Sequence, residues 1–146
     1  MEIEKVRLLL MQIIKVQNSF KAKVQSKLNT MKLDLTFEML QVMVKLWQED
    51  GINQQELSRR LLKDKSSLSY VLNNLEKRNL ISRKEDKSDK RNKILLVTDS
   101  GLELKSIFYP AIREIYKELS IDLNESDIDN MYAELIKLDD IINKLK

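Results

Sequence analysis

The sequence predicts a mainly α fold carrying one small β-hairpin, and three observations predict it. Only two Gly and one Pro occur in 146 residues, too few turn formers for a β-sandwich or barrel. Apolar residues recur at helical spacing over most of the chain. The exception lies between Ile81 and Val97, where two short apolar runs flank the charged tip Asp86-Lys87-Ser88-Asp89-Lys90-Arg91.

Residues 1 to about 32 contain neither Gly nor Pro, and Ile3, Val6, Leu9, Leu10, Ile13, Ile14, Phe20, Val24, Leu28 and Met31 mark one long amphipathic helix. Its length exceeds what a small globule can cover, so part of its stripe is expected to meet another subunit. Thr36 can cap a second helix, with a stripe of Phe37, Leu40, Val44 and Trp47 and an end near Gly51. Asn53-Gln54-Gln55-Glu56 has the form of a capping box. It opens a short helix with Leu57, Leu61 and Leu62 on one side and Arg59, Arg60 and Lys63 on the other.

Asp64-Lys65 then read as a tight connection, with Ser66 as the cap of the next helix. In that helix Leu68, Val71, Leu72 and Leu75 sit at i, i+3, i+4 and i+7 and face the core. The opposite face is centred on Ser66, Tyr70, Asn73 and Lys77, with Ser69 and Asn74 on its flanks. Near its start this face is small, hydrogen-bonding and uncharged, whereas a helix kept only for solubility more often shows Glu and Lys pairs. Asn79 is expected to end the helix in a left-handed conformation.

Ile81 to Glu85 and Asn92 to Val97 read as two strands, with Ile94 and Leu96 on one face. Two short helices followed by such a hairpin make a winged helix-turn-helix. Thr98 caps a further helix through Leu104, Ile107, Phe108, Ile112, Ile115, Tyr116 and Leu119, and Pro110 within it should kink it. After a break near Ser120 to Asn124 comes a last helix with Ile128, Met131, Leu135, Leu138, Ile141, Ile142 and Leu145. Its first turn is acidic and its last is basic through Lys144 and Lys146. The chain reads as a single domain, 1–146, with a winged lobe over 36–98 and a helical lobe from 1–32 and 99–146.

The inventory excludes several functions. There is no Cys and no His, so disulfides, thiolate nucleophiles and Cys/His zinc sites are out, and the usual general base is missing. No constellation of Asp, Glu and Lys suggests catalysis, and no enzyme activity, cofactor or metal is expected. No apolar run reaches the ~18 residues of a membrane span. Met1-Glu2-Ile3-Glu4-Lys5 lacks the basic start of a signal peptide, so a cytoplasmic location is expected. The net charge of +3 hides an asymmetry: Arg59 to Lys93 holds twelve Lys/Arg against five Asp/Glu, and the rest of the chain is net acidic. A basic block on an acidic chain points to a polyanion-binding surface; a merely solvated charged face is the plainer alternative.

The run Leu80-Ile81-Ser82-Arg83, then Asp86-Lys87-Ser88-Asp89-Lys90-Arg91, then Leu96-Val97-Thr98-Asp99-Ser100-Gly101 resembles the MarR family of bacterial winged helix-turn-helix regulators. Asp89 and Arg91 match the Asp-x-Arg of that family's wing, and Val97 stands where the pattern has Leu. The resemblance implies a homodimer with intertwined terminal helices, each subunit offering one winged unit to half of a near-palindromic operator on double-stranded DNA. It implies that the helix from Ser66 to Lys77 enters the major groove, that Arg91 reaches the minor groove, and that Asp89 holds the wing by pairing with Arg83.

The chemistry of the residues agrees with those roles. Asn73 can bond an adenine edge, and Ser66, Ser67 or Ser69 can serve bases or phosphates. Arg91 suits a narrow, electronegative minor groove, while Lys65, Lys87 and Lys90 can neutralise phosphates. Tyr70 and Asn74 stand where relatives often carry Arg, which makes this recognition face less basic. The absent Cys and His exclude the oxidant-sensing and zinc-sensing branches. The family usually holds a small-molecule effector pocket, which nothing in this sequence marks; Trp47 and Tyr109 read as core aromatics. The expected function is therefore a sequence-specific DNA-binding transcriptional regulator acting as a repressor, with a winged-helix protein-interaction adaptor as the alternative.

Overall fold

The computed structural model describes residues 2–61 and 63–145. In chain order the elements are α1 (Glu2–Thr30), α2 (Phe37–Gln48), α3 (Gln54–Leu61), α4 (Lys65–Lys77), β1 (Ile81–Glu85), β2 (Lys93–Val97), α5 (Asp99–Ser120) and α6 (Glu125–Asn143). Leu62 and Lys146, expected in a helix stripe and a basic last turn, lie outside the described residues. Two compact units divide the chain, one ending at Phe108 and the other starting at Tyr109.

In the first unit α4 packs on α2, α3 and β1. Leu68, Val71, Leu72 and Leu75 of α4 are buried as their spacing requires, with Val42, Met43 and Leu46 of α2 and Leu57 of α3. The C-terminal part of α1 belongs to this unit through buried Val24 and Leu28. Gln25 secures that junction: its Nε2 donates to the Leu35 carbonyl, and its Oε1 accepts from the Phe37 N–H, each at 3.0 Å. The rings of Phe20 and Phe37 meet edge to face at 6.5 Å. From Ile3 to Val16 the apolar side chains of α1 other than the half-buried Ile13 are exposed.

The caps follow the residues in three of four cases. Thr36 accepts from the Met39 N–H at 3.2 Å, Asn53 from Glu56 at 2.7 Å and Thr98 from Gly101 at 3.1 Å. For α4 the expectation fails. The helix starts at Lys65, and the cap is Asp64, whose Oδ1 accepts from the Ser67 N–H at 2.7 Å. A carboxylate at this position satisfies an orphan N–H and also meets the positive end of the helix dipole, so it outcompetes the Ser66 hydroxyl. Asn79 has φ 56° as expected.

β1 and β2 pair antiparallel, Ile81 opposite Val97 and Arg83 opposite Leu95. Residues opposite each other share a face, so the inward face carries Ile81 and Leu95, both buried. Ile94 and Leu96 do share a face, but it is not the core one. Residues 51–53 extend the ladder along β2. The Gly51 N–H donates to Leu95 O at 3.0 Å, the Leu95 N–H donates to Ile52 O at 2.9 Å, and Asn53 bridges Ile94. The Asp50 carboxylate accepts from the Val97 N–H at 2.9 Å. The loop after α2 is thereby hydrogen-bonded to the hairpin.

Trp47 donates its indole N–H to the Gly101 carbonyl at 3.0 Å and stacks at a tilt on Phe108, 5.9 Å away, in the core role expected of it. α5 continues through Pro110. In the second unit, Asn124 caps α6 by accepting from Asp127 at 2.8 Å, and no residue of α6 is buried.

Candidate nucleic-acid interface

The interface residues come from the first turns of α4 and from the hairpin tip. Asp64 organises the start of α4. Besides the Ser67 N–H, its carboxylate accepts from the Ser66 hydroxyl at 2.7 Å and the Ser67 hydroxyl at 3.0 Å. These bonds, the Ser67 backbone first, hold the Asp64 carboxyl below the usual aspartate range. A serine hydroxyl has one proton and two lone pairs. With their protons committed to Asp64, Ser66 and Ser67 offer outward lone pairs, which suit base amino groups better than phosphate oxygens. Ser69 differs, being held through its oxygen by Gln54 Nε2 at 3.0 Å.

Along the same face Tyr70 is 71% exposed, and Asn73 and Lys77 are also exposed. An exposed phenol on a helix offers a flat apolar body with a polar tip. Asn74 turns back on its own helix, donating to the Tyr70 carbonyl at 2.9 Å.

Backbone-to-carboxylate bonds shape the hairpin tip. Asp86 Oδ1 accepts from the Ser88 N–H at 3.0 Å and its hydroxyl at 2.7 Å, and these bonds lower the Asp86 pKa. Asp89 Oδ1 accepts from the Arg91 N–H at 3.0 Å, while its carbonyl accepts from the Asn92 N–H at 3.0 Å. These are Asx turns, in which a short acidic side chain replaces a backbone partner. Lys87, Lys90 and Arg91 stand exposed around them.

The expected Arg83–Asp89 pairing is corrected. Arg83 lies mid-strand, opposite Leu95, and reaches α4: its Nε donates to Glu76 Oε2 at 3.1 Å and its Nη2 to Asn73 Oδ1. Asp89 is at the far tip of the hairpin, where its nearest orphan donor is the Arg91 N–H. Four other cations of the basic block are also engaged by carboxylates, Arg78 by Asp34 and Lys93 by Glu85 among them. Arg59 binds Glu56, and Arg60 binds both Glu56 and Glu49. The local positive charge left for a partner is therefore concentrated on Lys65, Lys77, Lys87, Lys90, Arg91 and their neighbours.

A cleft of about 370 Å³ joins the two parts. Lys65, Leu68 and Ser69 of α4 line one wall, Gln54, Gln55 and Ser58 of α3 another, and Asp89, Arg91, Asn92 and Lys93 of the hairpin the third. Of the residues expected to act together, Lys65, Ser69 and Arg91 share this cleft, and Asp89 lines it with them. Tyr70, Asn73, Lys77, Lys87 and Lys90 lie outside it. Asp64, Gln54 and the Arg83 contact to α4 escape sequence reasoning. Asp is among the residues that cap helices, which is the signal that could have found Asp64, but nothing in the spacing of Gln54 or Arg83 announces its partner.

Comparison with known proteins agrees with this geometry. Residues 35–93 match the model of the MarR family. The HTH-type transcriptional regulator SarZ of Staphylococcus haemolyticus is 30% identical over 96 residues, 66% of this chain and 65% of that protein. TtmR of Methylorubrum extorquens, another HTH-type transcriptional regulator, is 33% identical over 72 residues, 49% of this chain and 37% of its own. The chain thus spans just under two thirds of SarZ and a smaller share of TtmR. Among solved structures, the S. aureus MepR–DNA complex superposes with a TM-score of 0.82 at 28% identity, covering 90% of this chain and 96% of that one. A MarR transcriptional regulator from Methanosarcina mazei Go1 has a TM-score of 0.83 at 18% identity, covering 95% and 99%, a likeness of fold alone. Among the described residues no helix is long and apolar enough to cross a membrane.

Proposed function

We propose that the chain is a member of the MarR family, whose model matches residues 35–93, and that it is a cytoplasmic, sequence-specific regulator of transcription that binds double-stranded DNA as a homodimer. The observation that carries the reading is the shared cleft of Lys65, Ser69 and Arg91. It sets the start of a helix with a polar outer face beside a basic hairpin, the arrangement needed to occupy a major groove and the minor groove next to it. In this reading Ser66, Ser67, Ser69, Tyr70 and Asn73 face base edges, Lys65, Lys77, Lys87 and Lys90 neutralise phosphates, and Arg91 enters the minor groove. The likeness to MepR, 28% identical and solved as a complex with DNA, supports the DNA-binding part of this reading.

Two apolar surfaces support the homodimer. The stripe from Ile3 to Val16 on α1 and that from Ile128 to Leu145 near α6 are exposed in their respective units, and continuous apolar patches of that kind mark interaction surfaces. Two copies related by a two-fold axis would read the two halves of a near-palindrome. Occupying both grooves of a promoter excludes other proteins from it, so repression is the regulatory act we propose.

The test is fluorescence anisotropy with duplexes selected from the source genome. Expected are saturable binding and a linear fall of log affinity with log salt, with a slope of several units set by the phosphate contacts. A response independent of salt would favour a protein-interaction adaptor.

A further inference from the structure

We infer that Arg83, a strand residue behind the recognition helix, is a positioning residue that orients the Asn73 amide and so sets which base edge Asn73 can bind; the inference rests on the DNA-binding reading above. Arg83 is the middle residue of β1, and its side chain is only 19% exposed. It is therefore poorly placed to clamp a phosphate. Its two contacts are both on α4, at positions three residues apart on one helix face: Glu76 at 3.1 Å and Asn73.

The chemistry of the pair removes a choice. A guanidinium has only donors, so an amide can meet it only through oxygen. The Asn73 amide therefore has one orientation, with Oδ1 turned toward Arg83. Glu76 holds the guanidinium in place by a charge-assisted bond. With one of its two lone pairs committed to a cation, Oδ1 is the weaker partner for a base, and the group wholly free for a contact is Nδ2, a donor.

This changes the base that Asn73 is suited to read. Bidentate recognition of adenine needs both Oδ1 and Nδ2, and the adenine amino hydrogens would approach an oxygen already bound to a cation. Guanine O6 and N7, or thymine O4, only accept and match a lone Nδ2 donor. Asn73 thus reads an accepting edge, and the wing strand contributes to the base preference of the helix without touching DNA.

The experiment selects bound duplexes from a randomised library with the full chain, the wild type beside Asn73→Ala, Arg83→Met and Arg83→Lys. Asn73→Ala identifies the base position in question by flattening the preference there. Expected is guanine or thymine at that position for the wild type. Arg83→Met, which keeps an unbranched stem and loses every donor, should move the preference toward adenine by about tenfold, and Arg83→Lys should retain the wild-type choice. Adenine in the wild type overturns the inference. So does an Asn73→Ala that flattens no position, or an Arg83→Met that weakens all sequences equally. If Arg83→Met does not fold, the wild-type base at the Asn73 position decides. A wild type that enriches no duplex overturns the DNA-binding reading itself and this inference with it, whereas an enriched sequence unmoved by Arg83→Met overturns this inference alone.

Discussion

The Leu80 carbonyl oxygen lies 2.3 Å from the point where a Cβ on Gly101 would stand. Val97 Cγ1 is 2.7 Å from the same point, and the Gly101 carbonyl accepts the Trp47 indole N–H. Leu80, three residues beyond α4, the end of β2 and the first turn of α5 thus meet at a backbone position with no room for a side chain. Gly101→Ala is expected to destabilise the chain by about 1–3 kcal/mol through overpacking against backbone. The urea midpoint measures it, and an unchanged midpoint would mean that α5 shifts at no cost.

Arg91→Ala is expected to weaken duplex binding by more than about tenfold, on the order of 1–2 kcal/mol, with far-UV helicity unchanged. The Asp89 turn that presents Arg91 uses the backbone of residue 91 and not its side chain, so the hairpin should survive the change. Equal affinity of variant and wild type in a gel shift would remove the wing from the mechanism.

Asp64 gives a pH signature. Its folded-state pKa is depressed, first by the Ser67 N–H and then by the Ser66 and Ser67 hydroxyls. A depressed carboxylate stabilises the fold above its unfolded value, about pH 4, and loses that contribution as pH falls through the folded value. Asp64→Asn keeps a cap-forming residue but does not titrate. Its melting temperature should lie below that of the wild type at pH 7 and converge on it in acid, as the carboxylate takes up its proton. A gap that stays constant over this range would show that the carboxylate charge plays no part.

The exposed stripe of α6 predicts association. The protein should have twice the chain mass by light scattering at micromolar concentration. Leu135→Glu, at a position 46% exposed in the single chain, should shift the mass toward one chain without loss of helicity. A wild-type monomer at that concentration contradicts the dimer.

Much of the fold was legible because it is local. Helical spacing marks α2 and α4 through Leu40, Leu68, Leu72 and Leu75, and Thr36, Asn53, Asn79 and Thr98 mark ends through their own backbone chemistry. For α4, spacing placed the cap at Ser66 and read Asp64 as part of the connection, whereas the first turn of the helix puts the cap at Asp64. The shared face of Ile94 and Leu96 was legible, but its relation to the core was not, for a related reason. Alternation groups Ile94 with Leu96, but it does not say which face meets the core, and Leu95 is the buried residue.

The sequence by itself determined the fold class, the basic character of Arg59 to Lys93, and a polar outer face on α4, because periodicity and composition are properties of neighbours in the chain. Only the tertiary structure decided what those polar residues are bonded to. Arg83 is ten residues from Asn73 in sequence, and Gln54 is fifteen from Ser69. Their contacts exist because β1 and α3 pack against α4. Hydrogen-bond partners across such packing depend on where whole elements settle, which no spacing rule encodes.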